Sequence, residues 1–446
     1  MSSAPPYDLV ILNGNCFLNT DKGHTFEITD VGVQNGKIVQ IGKLSTAKAK
    51  KVIDAKGLYV LPGAIDTQVH FREPGLEHKE DLATGTKSAA LGGITTIFEM
   101  PNTNPQTITA EAINTKLKLA HGRAWVNFGF FIGAAKENAK KLAELERLPG
   151  CVGVKLFMGT STGSLLVKAD EDILEVFKNG TRRVAIHSED EYRLIERKKL
   201  LGDHPAVQMH PEWRDAESAF LATRRVVALA RKANRLIHVL HITTAEEIKF
   251  LHENKDIASV ECTPQHLTLF APDCYDRLGT LAQMNPPIRS KDHQNGLWEG
   301  IANGTVDIIG SDHAPHLLEE KQNPYPDSPS GMPGVQTLLP IMLNHVNSGR
   351  LSLERLCEMI CTNPARIYGV KNKGHIKLSN DADFSIVDLK KDMTIKNSWI
   401  ASKCGWTPFD GMKVTGWPIY TIVGGNIVMQ EDQVLGTPHG KMAEFI

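Results

Sequence analysis

The sequence predicts an α/β fold: a (β/α)₈ TIM barrel with a small composite β-sandwich domain formed by both chain ends. Three observations predict it. Through the middle of the chain, apolar β-rich runs alternate with amphipathic helical stretches, the pattern of parallel strands joined by crossover helices. The first sixty residues instead show short strands broken by Asn-Gly and Gly, and the same texture returns near the end. Polar residues stand at the C-terminal ends of several central runs, the edge on which such barrels build their sites.

Taken in order, "YDLVILNG", "DVGVQNGKIVQIG" and "KKVIDAKGLYVLPG" read as hairpin-forming strands of a small sheet. The barrel strands follow as Ala64 to His70, Ile94 to Met100, Trp125 to Phe131, Val152 to Phe157, Arg183 to His187, Leu236 to His241, Ala258 to Thr263 and Val306 to Ser311. Between them, "ADEDILEVFKNG" and "TAEEIKFLHENKD" carry apolar residues at helical spacing. "GHIKLSNDADFSIVDL", "MKVTGWPIYTIVGGNIVMQ" and "DQVLG" return to strands and turns. The expected boundaries are 1–60 and 371–446 for the two parts of the composite domain and 61–370 for the barrel. No internal repeat or low-complexity segment interrupts this order.

The chain has 446 residues, 41% hydrophobic and 23% charged, which suits a globular protein with a sizeable core. A formal net charge of -1 gives no reason to expect a nucleic acid or an acidic membrane as partner, so a small molecule is the expected substrate. Seven cysteines are scattered without CxxC spacing and read as reduced thiols. The start, "MSSAPPYDLV", lacks a basic segment followed by an apolar core, and no apolar run approaches a membrane span. A cytoplasmic location is expected.

The first barrel strand ends in "GAIDTQVHFREPG", with Asp66, Gln68 and His70 at every second position. Residues two apart share a face, so all three are expected to point into the barrel, where buried polar groups need partners and a metal ion is one. Strand four places Lys155 inside an apolar run. Its amine either reaches solvent or, desolvated and neutral, is able to add carbon dioxide and become an anionic carbamate that bridges two metal ions. His187 tips strand five. Strand six offers His238 and His241, three apart and so on opposite faces of an ideal strand; His241 is the ligand candidate and His238 is expected to pack beneath the helices. Strand eight delivers Asp312, able to bind a metal through one oxygen and accept a proton with the other.

This order, His70 after strand one, Lys155 after four, His187 after five, His241 after six and Asp312 after eight, resembles the amidohydrolase superfamily. The similarity covers nearly the whole chain, including "LPGAIDTQVH" and "DADFSIVD" of the composite domain. Within that superfamily "HFREPGLEHKEDLATGT", "FEMPNT", "NPPIR", "SDHAPH" and "GMPG" look like motifs of the long bacterial dihydroorotases. The resemblance implies reversible cyclisation of N-carbamoyl-L-aspartate to L-dihydroorotate at a zinc centre of one or two ions. It assigns Arg72, Asn102 and His316 to a receptor for the substrate carboxylate, and Asn285 to the pyrimidine ring. A planar guanidinium suits the carboxylate, although Arg72 has Glu73 and Glu77 as alternative partners on the rim. A homodimer and association with aspartate carbamoyltransferase also belong to the family's expectations.

The chain departs from the superfamily at one position. Where relatives carry His-x-His, it reads Gln68-Val69-His70. Glutamine is a weaker zinc ligand than imidazole. Gln68 then binds a second metal weakly, or that metal is absent, or catalysis is lost; the other site residues argue against the third. Rival readings are a dihydropyrimidinase, an allantoinase, or a non-catalytic homologue scaffolding aspartate carbamoyltransferase. The first is disfavoured because "KLFMGTSTG" after the lysine lacks a tyrosine.

Overall fold

The backbone N–H of His70 donates to the carbonyl of His313 at 2.7 Å, and a parallel bridge between Val69 and His313 joins the first and eighth strands of a ring. The computed structural model that shows this describes residues 7–20, 23–44, 49–161 and 165–446. Residues 1–6 and, from "KLFMGTSTG", Thr162 and Gly163 lie outside the described residues.

The chain begins with β1 (Tyr7–Thr20), β2 (Gly23–Gln34), β3 (Lys37–Ile41), β4 (Ala49–Asp54) and β5 (Tyr59–Pro62). Asn35 and Gly36, with φ of 52° and 73°, close the β2–β3 turn, the conformation that two-residue hairpins require. The barrel strands are β6 (Ala64–Val69), β7 (Ile94–Glu99), β8 (Asn127–Gly133), β9 (Cys151–Phe157), β10 (Val184–His187), β11 (Ile237–Val239), β12 (Ala258–Cys262) and β13 (Ile308–Ile309). They pair in parallel and in chain order. All eight expected strands are present, the last trimmed to two residues, beyond which Gly310 still donates to the Cys262 carbonyl before the chain turns at Asp312.

Helices follow the strands as the spacing predicts. "ADEDILEVFKNG" forms Asp170–Lys178 and "TAEEIKFLHENKD" forms Ala245–His252, the latter capped by Thr244, whose side chain accepts from the Glu247 N–H. One apolar layer, including Val154, Ile186, Ile237 and Val239, packs between strands and helices. A second, with Ile65, Phe98, Phe131, Ala185 and Leu240, fills the barrel and is stoppered at its lower end by Tyr368 and Phe445.

β14 (Phe384–Thr394), β15 (Lys413–Val423), β16 (Asn426–Gln430) and β17 (Gln433–Val434) complete the second sheet. β14 pairs antiparallel with β5, Phe384 opposite Pro62 and Val387 opposite Tyr59, so the two ends of the chain share one sheet. Lys37 bonds Asp381 at 2.6 Å across the same seam. Among the described residues no helix is long and apolar enough to cross a membrane.

Candidate active site

Three residues at the upper barrel edge adopt left-handed backbone: Arg72 with φ 63°, His241 with φ 36° and Asp312 with φ 45°. For a side chain with a Cβ this conformation costs about 1–2 kcal/mol each, and it turns each residue out of the strand's alternation. That explains a correction at strand six. His238 does not lie beneath the helices; it faces the barrel interior, 5.6 Å from the Tyr368 ring and bonded to Ser259 Oγ at 2.7 Å. The turn at His241 puts both histidines inside, which the ideal alternation does not allow.

Around Asp312 the contacts are close. Gln68 Nε2 donates to Asp312 Oδ1 at 2.9 Å, and His70 Nε2 lies 3.2 Å from the same oxygen. His70 Nδ1 donates to Asn102 Oδ1 at 2.7 Å. Burial lowers the His70 pKa against the opposing pull of Asp312, which favours the neutral ring. Asp66 does not reach Asp312. Its Oδ1 accepts the N–H groups of Ser311 and Gln68, and burial pushes its carboxyl up to about 7. The β6–β7 register shifts between Asp66 and Val69, and Thr67 also turns inward to bond Glu261.

A second group lies on strands four to six. Lys155 is fully buried, with Nζ 4.3 Å from the Phe157 ring centre and no hydrogen-bond partner among the described residues. Burial lowers its pKa to about 7, against the opposing pull of Asp312 and Glu261. The alternative of an amine reaching solvent is therefore excluded. His187 Nδ1 is 3.0 Å from His241 Nε2. His187 Nε2 donates to Glu189 at 2.9 Å, and Glu189 is held by Arg214. Burial raises the Glu189 pKa, yet the Arg214 charge and His187 outweigh it and hold the carboxyl well below its usual range.

The anion side is distinct. Arg72 is 1% exposed and has no carboxylate within 4.0 Å among the described residues. Its rim alternatives are engaged elsewhere: Glu73 pairs with Arg123 at 2.8 Å, and Glu77 accepts the Gly75 N–H at 2.8 Å. The guanidinium instead donates through Nε to the Pro315 carbonyl at 3.2 Å and lies 3.2 Å from His316 Nε2. Burial lowers its pKa only to about 10, so it stays charged. Asn102 lines a cavity of about 970 Å³ with Leu76, Thr107 and Ile108. Asn285 lines another, of about 470 Å³, beside Arg214, and its Oδ1 lies 3.1 Å from His210 Nε2. The same cavity is lined by Ser330, whose carbonyl lies 3.1 Å from His316 Nε2.

Residues 59–428 match the amidohydrolase family. The chain belongs to the amidohydrolase family. Curated relatives include proteins named dihydroorotase from Methanosarcina mazei, 35% identical over 98% of both chains, and Pyrococcus abyssi, 37% identical over 92% of this chain and 93% of that one. Among solved structures, the L-hydantoinase of Arthrobacter aurescens superposes with a TM-score of 0.91 at 31% identity, covering 98% of this chain and 99% of the other. The dihydropyrimidinase of Brevibacillus agri superposes with a TM-score of 0.89 at 28% identity, covering 97% of each.

Amidohydrolases are associated with metal, and the fit of these residues is a matter of donor chemistry. Among the described residues no three His, Cys, Asp or Glu side chains come together as a cage. Yet Gln68 Oε1, Lys155 Nζ and His241 Nδ1 are buried without a partner among the described residues. His70, His187 and His241 are all kept neutral by burial, the form that ligates. Uncompensated polar atoms at this density are costly unless something serves them. With Lys155 counted as a donor, the set fits a divalent cation.

The sequence did not single out Glu189, Arg214, Lys79 or Glu261. Glu189, two residues after His187 in "HSED", was the one within reach, since a histidine ligand needs an acceptor on its other nitrogen.

Proposed function

We propose that this amidohydrolase is a dihydroorotase, interconverting N-carbamoyl-L-aspartate and L-dihydroorotate. The observation that carries it is the buried, charged Arg72 guanidinium, which among the described residues has no carboxylate within 4.0 Å. A cation kept that way calls for an anionic ligand, and dihydroorotate is a cyclic amide bearing a carboxylate. The names of the curated relatives point the same way. The hydantoinase neighbours support the wider class of cyclic amide hydrolysis.

In the hydrolytic direction the ring bond between the amide carbonyl and its nitrogen breaks as a C–O bond to water forms. Asp312 takes the proton from the attacking water and returns it to the departing nitrogen. Arg72, His316 and Asn102 hold the substrate carboxylate so that the carbonyl meets the water. A zinc ion held by His70, His187, His241, Asp312 and a carboxylated Lys155 would supply Lewis acidity to the carbonyl and the water. Gln68 donates its amide hydrogen to Asp312, and its carbonyl oxygen is left as a weak donor for a second ion. A homodimer in the cytoplasm, with association with aspartate carbamoyltransferase, belongs to the same proposal, as do barrel boundaries at 61 and 370.

Arg72→Met tests the assignment. It should lower kcat/KM for L-dihydroorotate by about 100-fold or more, since a charge-assisted pair is worth about 1.5–3 kcal/mol and burial adds to it, while hydrolysis of the uncarboxylated dihydrouracil does not fall. Equal loss on both substrates would sink the carboxylate assignment.

A further inference from the structure

His316 has a cation at each ring nitrogen. Lys79 Nζ lies 3.1 Å from Nδ1, and Arg72 Nη2 lies 3.2 Å from Nε2. The carbonyl of Ser330 also lies 3.1 Å from Nε2. The ring is 1% exposed, and burial together with Arg72 and Lys79 holds its pKa well below the usual value. A neutral imidazole carries one N–H, so only one nitrogen donates.

An ammonium has three donors and no lone pair, so Lys79 requires Nδ1 of His316 to accept. The single proton then sits on Nε2, where the Ser330 carbonyl accepts it. Lys79 is itself fixed by Glu320 at 2.9 Å, and Glu320 accepts the Leu317 N–H at 2.9 Å. Without the lysine, Glu320 lies 4.0 Å from Nδ1 and favours a proton there. Nε2 would then present a lone pair, accept from Arg72 Nη2, and repel a carboxylate arriving beside the guanidinium.

From this geometry we infer that Lys79 is a positioning residue of the anion receptor: it locks His316 as an Nε2–H donor, whose one hydrogen is shared between the Ser330 carbonyl and a substrate carboxylate that Arg72 also holds. This deepens the dihydroorotase reading and rests on it for the identity of the anion. Lys79 lies nine residues past His70 on the loop before the first barrel helix, Leu82–Leu91, and need not touch substrate to act.

The test compares full-length wild type, Lys79→Met and Lys79→Arg. ¹⁵N-detected histidine NMR, with His316→Gln as assignment control, reads the tautomer directly. Wild type and Lys79→Arg should show a protonated Nε2, and Lys79→Met should shift His316 to a protonated Nδ1. In parallel, KM for L-dihydroorotate should rise about tenfold or more in Lys79→Met with kcat within about twofold, and Lys79→Arg should restore it. A tautomer unchanged in Lys79→Met overturns the inference, as does a fall in kcat at constant KM. The NMR result needs no turnover. A wild type inactive on dihydroorotate would therefore remove the substrate assignment and leave the lock to be judged by the tautomer alone.

Discussion

Gln68 and Asp312 are joined by a 2.9 Å hydrogen bond, the glutamine amide donating to the same carboxylate oxygen that His70 approaches. An amide N–H in that place orients the proposed proton acceptor as a cation would, with less charge.

Gln68→Leu should leave bound zinc unchanged and lower kcat about tenfold or more, because a hydrogen bond to a charged group contributes about 1.5–3 kcal/mol. Gln68→His should raise the metal count per chain if a second site is merely weak. Elemental analysis beside steady-state kinetics reads both, and loss of metal in Gln68→Leu would make the glutamine a ligand.

Lys155 should carry a carbamate. Its amine has a pKa lowered to about 7 and reacts when neutral, so uptake of carbon dioxide should increase as pH rises through that value. Protein equilibrated with zinc and ¹³C-bicarbonate should show a carbamate carbon resonance that Lys155→Met abolishes along with most of the bound metal. Absence of the resonance in the zinc-loaded protein would refute the modification.

Glu189→Gln should destabilise the fold by about 3–5 kcal/mol, since it strands the Arg214 charge, which is 3% exposed. Denaturant titration measures this. Glutamine keeps one acceptor oxygen where the carboxylate offered two to Arg214 and His187, so His187 is held less firmly and zinc binding should weaken about 10–100-fold. An unchanged unfolding midpoint would show that Arg214 finds another partner.

Lys321 gives a pH dependence of stability. It is fully buried, donates to the carbonyls of Gln283 and Pro329, and burial lowers its pKa to about 7. Between that value and about 10.5 the unfolded chain binds a proton that the folded one does not, so stability rises with pH across the window. One such proton changes stability by about 1.4 kcal/mol per pH unit. Lys321→Met should flatten the rise expected of wild type from pH 7 to 9 by thermal unfolding; parallel curves would show that Lys321 stays protonated.

The barrel was legible because each strand is an apolar, β-branched run that cannot be satisfied except by burial on both faces, and Lys155, His187 and Asp312 interrupt those runs at their ends. Periodicity failed at His238, because its facing depends on the left-handed backbone at His241, and a sequence does not display φ. Ile308–Ile309 shrank for the same reason, with the chain turning at Asp312. Glu189, Arg214 and Lys79 escaped because charged residues outside strands look like surface. Only the fold shows Arg214 donating to a carboxylate under a histidine, or Lys79 meeting a ring 237 residues away.

The Trp406 indole N–H donates to the His316 carbonyl at 2.8 Å, while Lys403 pairs with Asp81 and Ser402 with Glu80. During synthesis the eight strands emerge from the ribosome well before this clasp exists. A nascent chain can thus close its ring early yet seat His316 only once the segment through Trp406 has folded back, which couples the position of that histidine to completion of the second sheet.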